Sequence, residues 1–124
     1  MKRMVIKGSE WHRGSKMEFG DAGLLNKEGR MCCLGIHGRL CGVSDELLLV
    51  ATYPENLVWG DIPECYQPWV AGAFQRDRFP VASRRGIHAV GINDEVETTD
   101  AEKIAKLRPI FAEIGVSIVW RPDL

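Results

Sequence analysis

The stretch that most constrains this chain is residues 31–41, Met31-Cys32-Cys33-Leu34-Gly35-Ile36-His37-Gly38-Arg39-Leu40-Cys41. Cys33, Leu34, His37, Leu40 and Cys41 recur there at the spacing of one helical face, so a helix over this stretch carries a stripe that must be buried. Gly42 supplies a helix-ending residue, and Val43 is placed to fold back onto the last turn. Gly35 and Gly38 each cost about 1 kcal/mol relative to alanine inside a helix. Their presence implies that another element approaches the helix closely. Ser44-Asp45-Glu46-Leu47 reads as the capped start of a second, shorter helix.

Around this helix the other elements can be placed. Residues 3–7 alternate apolar and polar side chains, with Met4 and Ile6 on one face, and read as a short strand. Residues 8–28 have no sustained period and read as loop. Residues 53–80 combine Pro54, Pro63, Pro68 and Pro80 with Tyr66, Trp69, Phe74 and Phe79. Proline blocks long regular elements, so this segment is expected to pack as an irregular lobe, with a short helix over residues 69–74. Residues 86–92 alternate again and read as a strand. Thr99-Asp100-Ala101-Glu102 has the pattern of a capping box. The helix it opens carries Ile104, Leu107, Phe111 and Ile114 on its buried face, with Pro109 expected to kink or split it. Gly115 ends that helix, and residues 116–120 form a last strand.

The expected fold is therefore α+β, one domain over residues 1–124. It has a small sheet of about three strands, with the cysteine-rich helix and the C-terminal amphipathic helix packed on one face beside the Pro/aromatic lobe. Parallel and antiparallel pairing of the terminal strands both remain open. At 124 residues, with 45% hydrophobic and 27% charged residues, the chain can build a core without metals or disulfides. A net charge of −1 gives no global attraction to nucleic acid or to a membrane surface. Charge interrupts residues 1–7 before a signal-like apolar run can form, so a cytoplasmic protein is expected. Cys33 and Cys41 on one helix would lie about 12 Å apart, too far to bridge, which points to reduced thiols.

Three groups of residues could carry chemistry. Cys33, His37 and Cys41 share a helix face, and thiolate and imidazole are zinc ligands. A site would need Cys33 with His37, or His37 with Cys41, completed by Cys65 or His88. A free cysteine is more often a small core residue, and that reading is preferred. A thiol enzyme would use Cys32 or Cys33 near the helix start, His37 or His88 as base and Asp94 as orienter, but no spacing matches a known signature. Gly14-Ser15-Lys16 lacks the pattern of a phosphate-binding loop. The third group is basic: Arg76, Arg78, Arg84 and Arg85 lie beside Trp69, Phe74 and Phe79. Arginine forks beside aromatic faces suit phosphate, nucleotide or an acidic protein partner. The blander alternative pairs these arginines with Asp94, Glu95, Glu97 and Asp100. Asn93-Asp94 with Glu95 could hold a hard cation, but the carboxylates are better explained by the positive end of the following helix.

The Met31-Cys32-Cys33-Leu34-Gly35 run, Cys41-Gly42, Ile92-Asn93-Asp94, Trp11-x-Arg13-Gly14 and the ending Ile104…Leu107…Phe111…Gly115-Val116 resemble a group of small phage and prophage proteins of unknown function. The resemblance implies a phage-encoded accessory protein made in the host cytoplasm and implies no activity. Where the group has an aromatic residue after Gly35-x, this chain has His37, which weakens a metal role for it. The sequence thus points to a binding protein, with no cofactor and no metal. Its site would comprise Arg76, Arg78, Arg84, Arg85, Trp69 and Phe79. The partner would be a host or phage macromolecule, in the first place a protein, or a nucleotide-like ligand, and inhibition of a host defence is one role of that kind. A thiol or zinc enzyme centred on Cys33 and His37, and a virion assembly factor, are the alternatives.

Overall fold

The computed structural model describes residues 1–14, 23–71 and 81–124. Strand β1 (Lys2–Lys7) buries Met4 and Ile6 and exposes Val5, as its alternation requires. It pairs with the last strand, β4 (Val116–Arg121), and the pairing is parallel, with Met4 opposite Ile118 and Ile6 opposite Trp120. The two ends of the described chain are thereby joined.

Helix α1 (Cys33–Leu40) packs against β1 and against the short helix α2 (Asp45–Val50). Cys33, Leu34 and His37 are buried, as the stripe demands, but so are Gly35, Ile36 and Gly38. The helix therefore runs through the core. Gly35 is what permits this: a Cβ there would overlap the Leu24 carbonyl oxygen. The helix ends as expected. Gly42 adopts φ +94°, its N–H bonds to Arg39 O (3.1 Å), and the Val43 N–H reaches back to Gly38 O (2.9 Å). Ser44 caps α2 by accepting a bond from the Leu47 N–H (3.3 Å).

Among its described residues, the Pro/aromatic segment forms three short 3-10 helices, Pro54–Asn56, Trp59–Asp61 and Glu64–Trp69. The described part of this lobe packs into the same core as α1, with Tyr66 and Trp69 fully buried there. The short helix expected over residues 69–74 is displaced: the 3-10 helix ends at Trp69, and strand β2 (Val70–Ala71) follows. Residues 72–74 lie outside the described residues. β2 pairs antiparallel with β3 (Val81–Ala82).

Residues 86–92 are not a strand. They belong to helix α3 (Arg84–Asp94), which replaces the third strand of the expected sheet. The described strands instead form two separate pairs. A run of Ile, His, Ala, Val, Gly and Ile satisfies either period over so short a window. The deciding signals are the Ser83 cap, whose Oγ accepts from the Gly86 N–H (2.9 Å), and burial at Gly86, Ala89 and Asn93. Gly86 lets α3 lie against the lobe, since a Cβ there would overlap the Trp69 carbonyl.

Helix α4 (Asp100–Ala112) opens at Thr99, whose Oγ1 accepts from the Glu102 N–H (3.2 Å). Ile104, Leu107, Ile110 and Phe111 are buried. Pro109 does not split it. The carbonyl that loses its donor belongs to Ala105, on the exposed face, where water can satisfy it. No helix among the described residues is long and apolar enough to cross a membrane.

Candidate functional site

Of the expected partner-binding residues, Arg76, Arg78 and Phe79 lie outside the described residues. Trp69 does not face a ligand: it is 0% exposed, and its indole N–H donates to His37 Nδ1 (2.8 Å). Arg84 and Arg85 are the first two residues of α3 and do reach a common feature. With His88 and Lys106 they line an open groove of about 440 Å³ between α3 and α4. The groove continues past His88, Lys106 and Pro109 toward Ile92 and Glu95.

The pairing expected for these arginines is not the one observed. Arg85 reaches Glu113 (3.3 Å) through one nitrogen, and its Nε is buried without a hydrogen-bond partner. Lys106 pairs with Glu95 (3.1 Å), and Arg84 makes no ion pair among the described residues. Asp100 is instead held by one edge of the Arg13 guanidinium, whose Nε and Nη2 donate to its two carboxylate oxygens (3.0 and 2.7 Å). Both pairs in the groove are exposed, and such pairs are worth about 0–1 kcal/mol, so an incoming carboxylate can displace them.

The cysteines divide between the two ends of α1. At its C-terminal end, Cys41 is joined to Cys65 by a disulfide that ties α1 to the Glu64–Trp69 helix, with the Cα atoms 6.0 Å apart. This corrects the expectation of reduced thiols throughout. The objection to bridging held for partners on one helix, and Cys41 finds its partner off it. His37 lies beside this bridge, its Nε2 3.5 Å from Cys41 Sγ, among Tyr66, Trp69 and Phe111. Because Nδ1 accepts the Trp69 N–H, the neutral ring carries its proton on Nε2. Neither nitrogen then offers a lone pair to a metal or to a substrate proton. Burial, aided by the charge of Lys2, pushes its pKa down to about 4, which keeps it neutral. His37 is thus a poor base and a poor ligand. Among the described residues no group of three His, Cys, Asp or Glu side chains could hold a metal ion. Cys33 is fully buried, its sulfur 4.0 Å from the Ala89 carbonyl, and burial raises its pKa well above the usual thiol value.

The N-terminal end of α1 is different. Cys32 sits at the cap position, ahead of the amides of Leu34 and Gly35, without a side-chain cap hydrogen bond, and the first intrahelical bond runs from the Ile36 N–H to Cys32 O. It lines a small cavity of about 40 Å³ together with His12, Tyr53 and Asp94. Burial pushes the Cys32 pKa up to about 11, and Asp94 adds to the rise, while the two amides oppose it.

One residue assembles this end. Asn93 Oδ1 accepts from the Trp11 indole N–H (2.7 Å) and from the Cys33 N–H (3.0 Å). Its Nδ2 donates to the His12 carbonyl (3.0 Å) and to Asp94 Oδ1 (3.0 Å). Asn93 therefore caps α1 from α3 and fixes the segment that carries His12 against it. Of the groups expected for a thiol enzyme, Cys32, Cys33 and Asp94 line this cavity, whereas His37 lies beside Cys41 and His88 lines the groove; His12 was not among them. Asn93 is a polar residue at a buried phase of α3, a signal legible only once residues 84–94 are read as a helix. No family model, curated protein or solved structure matches this chain, so its function has to be argued from these sites alone.

Proposed function

We propose that this is a binding protein that captures an acidic protein segment in the groove between α3 and α4. The observation that carries the reading is the alignment of Arg84, Arg85, His88 and Lys106 along one open groove whose floor includes Ile92, Pro109 and Ile110. Fork-shaped guanidinium groups recognise carboxylates. An elongated, partly apolar channel fits a peptide that alternates acidic and apolar residues. A nucleotide is less well served, because Trp69, the aromatic platform expected for its base, is enclosed in the core. Together with the resemblance to phage-encoded proteins, this makes a host protein with an acidic surface segment the partner to look for, and interference with its work the role.

The test uses fluorescein-labelled peptides rich in Asp, Glu and Leu, a scrambled basic peptide, and a fluorescent ATP analogue. Anisotropy should report binding of the acidic peptides alone, weakening with salt. The double substitution Arg84→Glu with Arg85→Glu should weaken it at least about tenfold, since two charge-assisted contacts are lost, with an unchanged circular dichroism melt. Equal binding by the variant would remove the groove as the site. Preference for the nucleotide would replace the peptide reading.

A further inference from the structure

We propose that the Cys41–Cys65 bridge is a thiol-controlled switch that sets the order of the first turn of α3, and with it the grip of the groove between α3 and α4. What is switched rests on the reading of that groove as the binding site. The switch itself stands on three observations. The bridge can be reached: Cys65 is exposed and Cys41 is half-buried. Their Cα atoms, 6.0 Å apart, lie within the span of about 4.4–6.8 Å that a bridge needs, so the bond can open and re-form without moving the backbone. The helix that carries Cys65 also builds the start of α3. The Ser83 N–H donates to Trp69 O (3.1 Å), and its hydroxyl donates to Pro68 O (2.7 Å). The same hydroxyl oxygen accepts the Gly86 N–H (2.9 Å), and Ser83 O accepts the Ile87 N–H (2.9 Å). Arg84 and Arg85 follow Ser83 directly, so the cap that orders them is held by the Glu64–Trp69 helix. Among the described residues, side chains tie that helix to α1 by the bridge, by the Tyr66 hydroxyl to Leu34 O (2.8 Å) and by the Trp69 N–H to His37 (2.8 Å). The two rings are buried, so the covalent tie is also the one that a reagent in solution can cut.

The switching step is exchange with a dithiol reductant. One thiolate of the reductant bonds to the exposed Cys65 sulfur. The electron pair of the Cys41–Cys65 bond leaves on the Cys41 sulfur, which takes a proton from water. The His37 Nε2–H, 3.5 Å from that sulfur, steadies the thiolate as it forms. The second thiolate of the reductant then attacks its own sulfur in the mixed disulfide and frees Cys65, which also takes a proton. The dithiol ends as a cyclic disulfide, and two electrons have passed to Cys41 and Cys65. A small-molecule disulfide runs the exchange backwards. Opening the bridge frees a loop with a sequence separation of 24, which favours local release of the Glu64–Trp69 helix and of the Ser83 cap hung on it.

The experiment compares the full chain treated with glutathione disulfide and with dithiothreitol, without denaturant. Iodoacetamide labelling read by mass spectrometry counts the open thiols, and Cys41 and Cys65 should label only after reduction. Amide hydrogen exchange at Gly86 and Ile87 should then quicken at least about tenfold more than at Leu107 in α4, because the release is local. The fluorescein-labelled acidic peptide should be held at least about tenfold more weakly by the reduced chain, since its two forked contacts are no longer pre-ordered. Cys41→Ser with Cys65→Ser should match the reduced form under both treatments. Failure of dithiothreitol to open the bridge in the folded chain, no change at Gly86 and Ile87, or equal quickening at Leu107 would overturn the switch. Quickening at Gly86 and Ile87 with unchanged peptide binding would overturn its control of the groove. A peptide that binds neither form would remove the groove reading instead, and exchange at Gly86 and Ile87 would then decide whether the bridge governs α3.

Discussion

The two ends of α1 carry the same residue types and opposite prospects for chemistry. Each has a cysteine and a histidine in one place: His37 lies beside Cys41, and His12 lines the same cavity as Cys32. At the C-terminal end the sulfur is joined to Cys65, and both ring nitrogens of His37 are committed. At the N-terminal end the Cys32 thiol is free and lines a small cavity together with His12. What each cysteine and histidine can do is therefore decided by partners that lie far from it in sequence. Four cysteines and three histidines in a sequence do not reveal that.

The N-terminal end depends on a single side chain, so the sharpest way to break the comparison is to remove it. Asn93→Leu preserves much of the volume and deletes the bonds to Trp11 Nε1, Cys33 N–H and the His12 carbonyl. It takes the acceptor from two buried N–H groups and a donor from the His12 carbonyl, each loss costing about 1–3 kcal/mol, for an expected total of about 4 kcal/mol. Urea denaturation measures it. A loss below 1 kcal/mol would mean that the end is held by something else.

Opening the other end should cost somewhat less. The Cys41–Cys65 bridge spans a sequence separation of 24, and closing a loop of that length restricts the unfolded chain by about 3 kcal/mol at 25 °C. Cys41→Ser with Cys65→Ser, or addition of dithiothreitol, should lower stability by about that amount while leaving labelling of Cys32 unchanged. A fall in Cys32 labelling on reduction would show that the two ends are coupled and spoil the contrast between them.

How much of this was legible beforehand follows the range of the interactions. The Gly42–Val43 helix end, the Ser44 and Thr99 caps and the stripe of α4 are written within a few residues of themselves, and the structure has them. The burial of α1 was readable from its stripe, and its depth from Gly35. The strand expected at residues 86–92 failed because its cap is Ser83 without an acidic residue at the third position, and its glycines depress helix propensity. The misplacement of the third strand then hid the role of Asn93, whose partners Trp11, His12 and Cys33 lie 60 to 82 residues away. Trp69 looked like a surface platform because an aromatic beside arginines in sequence need not lie beside them in space. The Cys41–Cys65 pairing and the placing of His12 are likewise long-range facts, set by how α1 meets its neighbours.

The smallest effect concerns pH and tests the locked state of His37. Its folded pKa of about 4 lies below the usual 6.5, so the unfolded chain binds more protons between those values. The stability tied to neutral His37 is thus complete above pH 6.5 and is lost progressively as pH falls toward 4. From pH 7 to pH 5 the loss from this residue is about 2 kcal/mol. Denaturation midpoints at the two pH values, compared with those of His37→Phe, isolate it, because phenylalanine fills the same aromatic site and carries no proton. Phenylalanine also leaves the Trp69 N–H without its acceptor, which lowers stability at both pH values alike and does not enter the difference. If the variant lost as much stability on acidification as the parent, the acid sensitivity would reside elsewhere. The claim that Trp69 fixes the tautomer would then need direct support from the nitrogen chemical shifts of the ring.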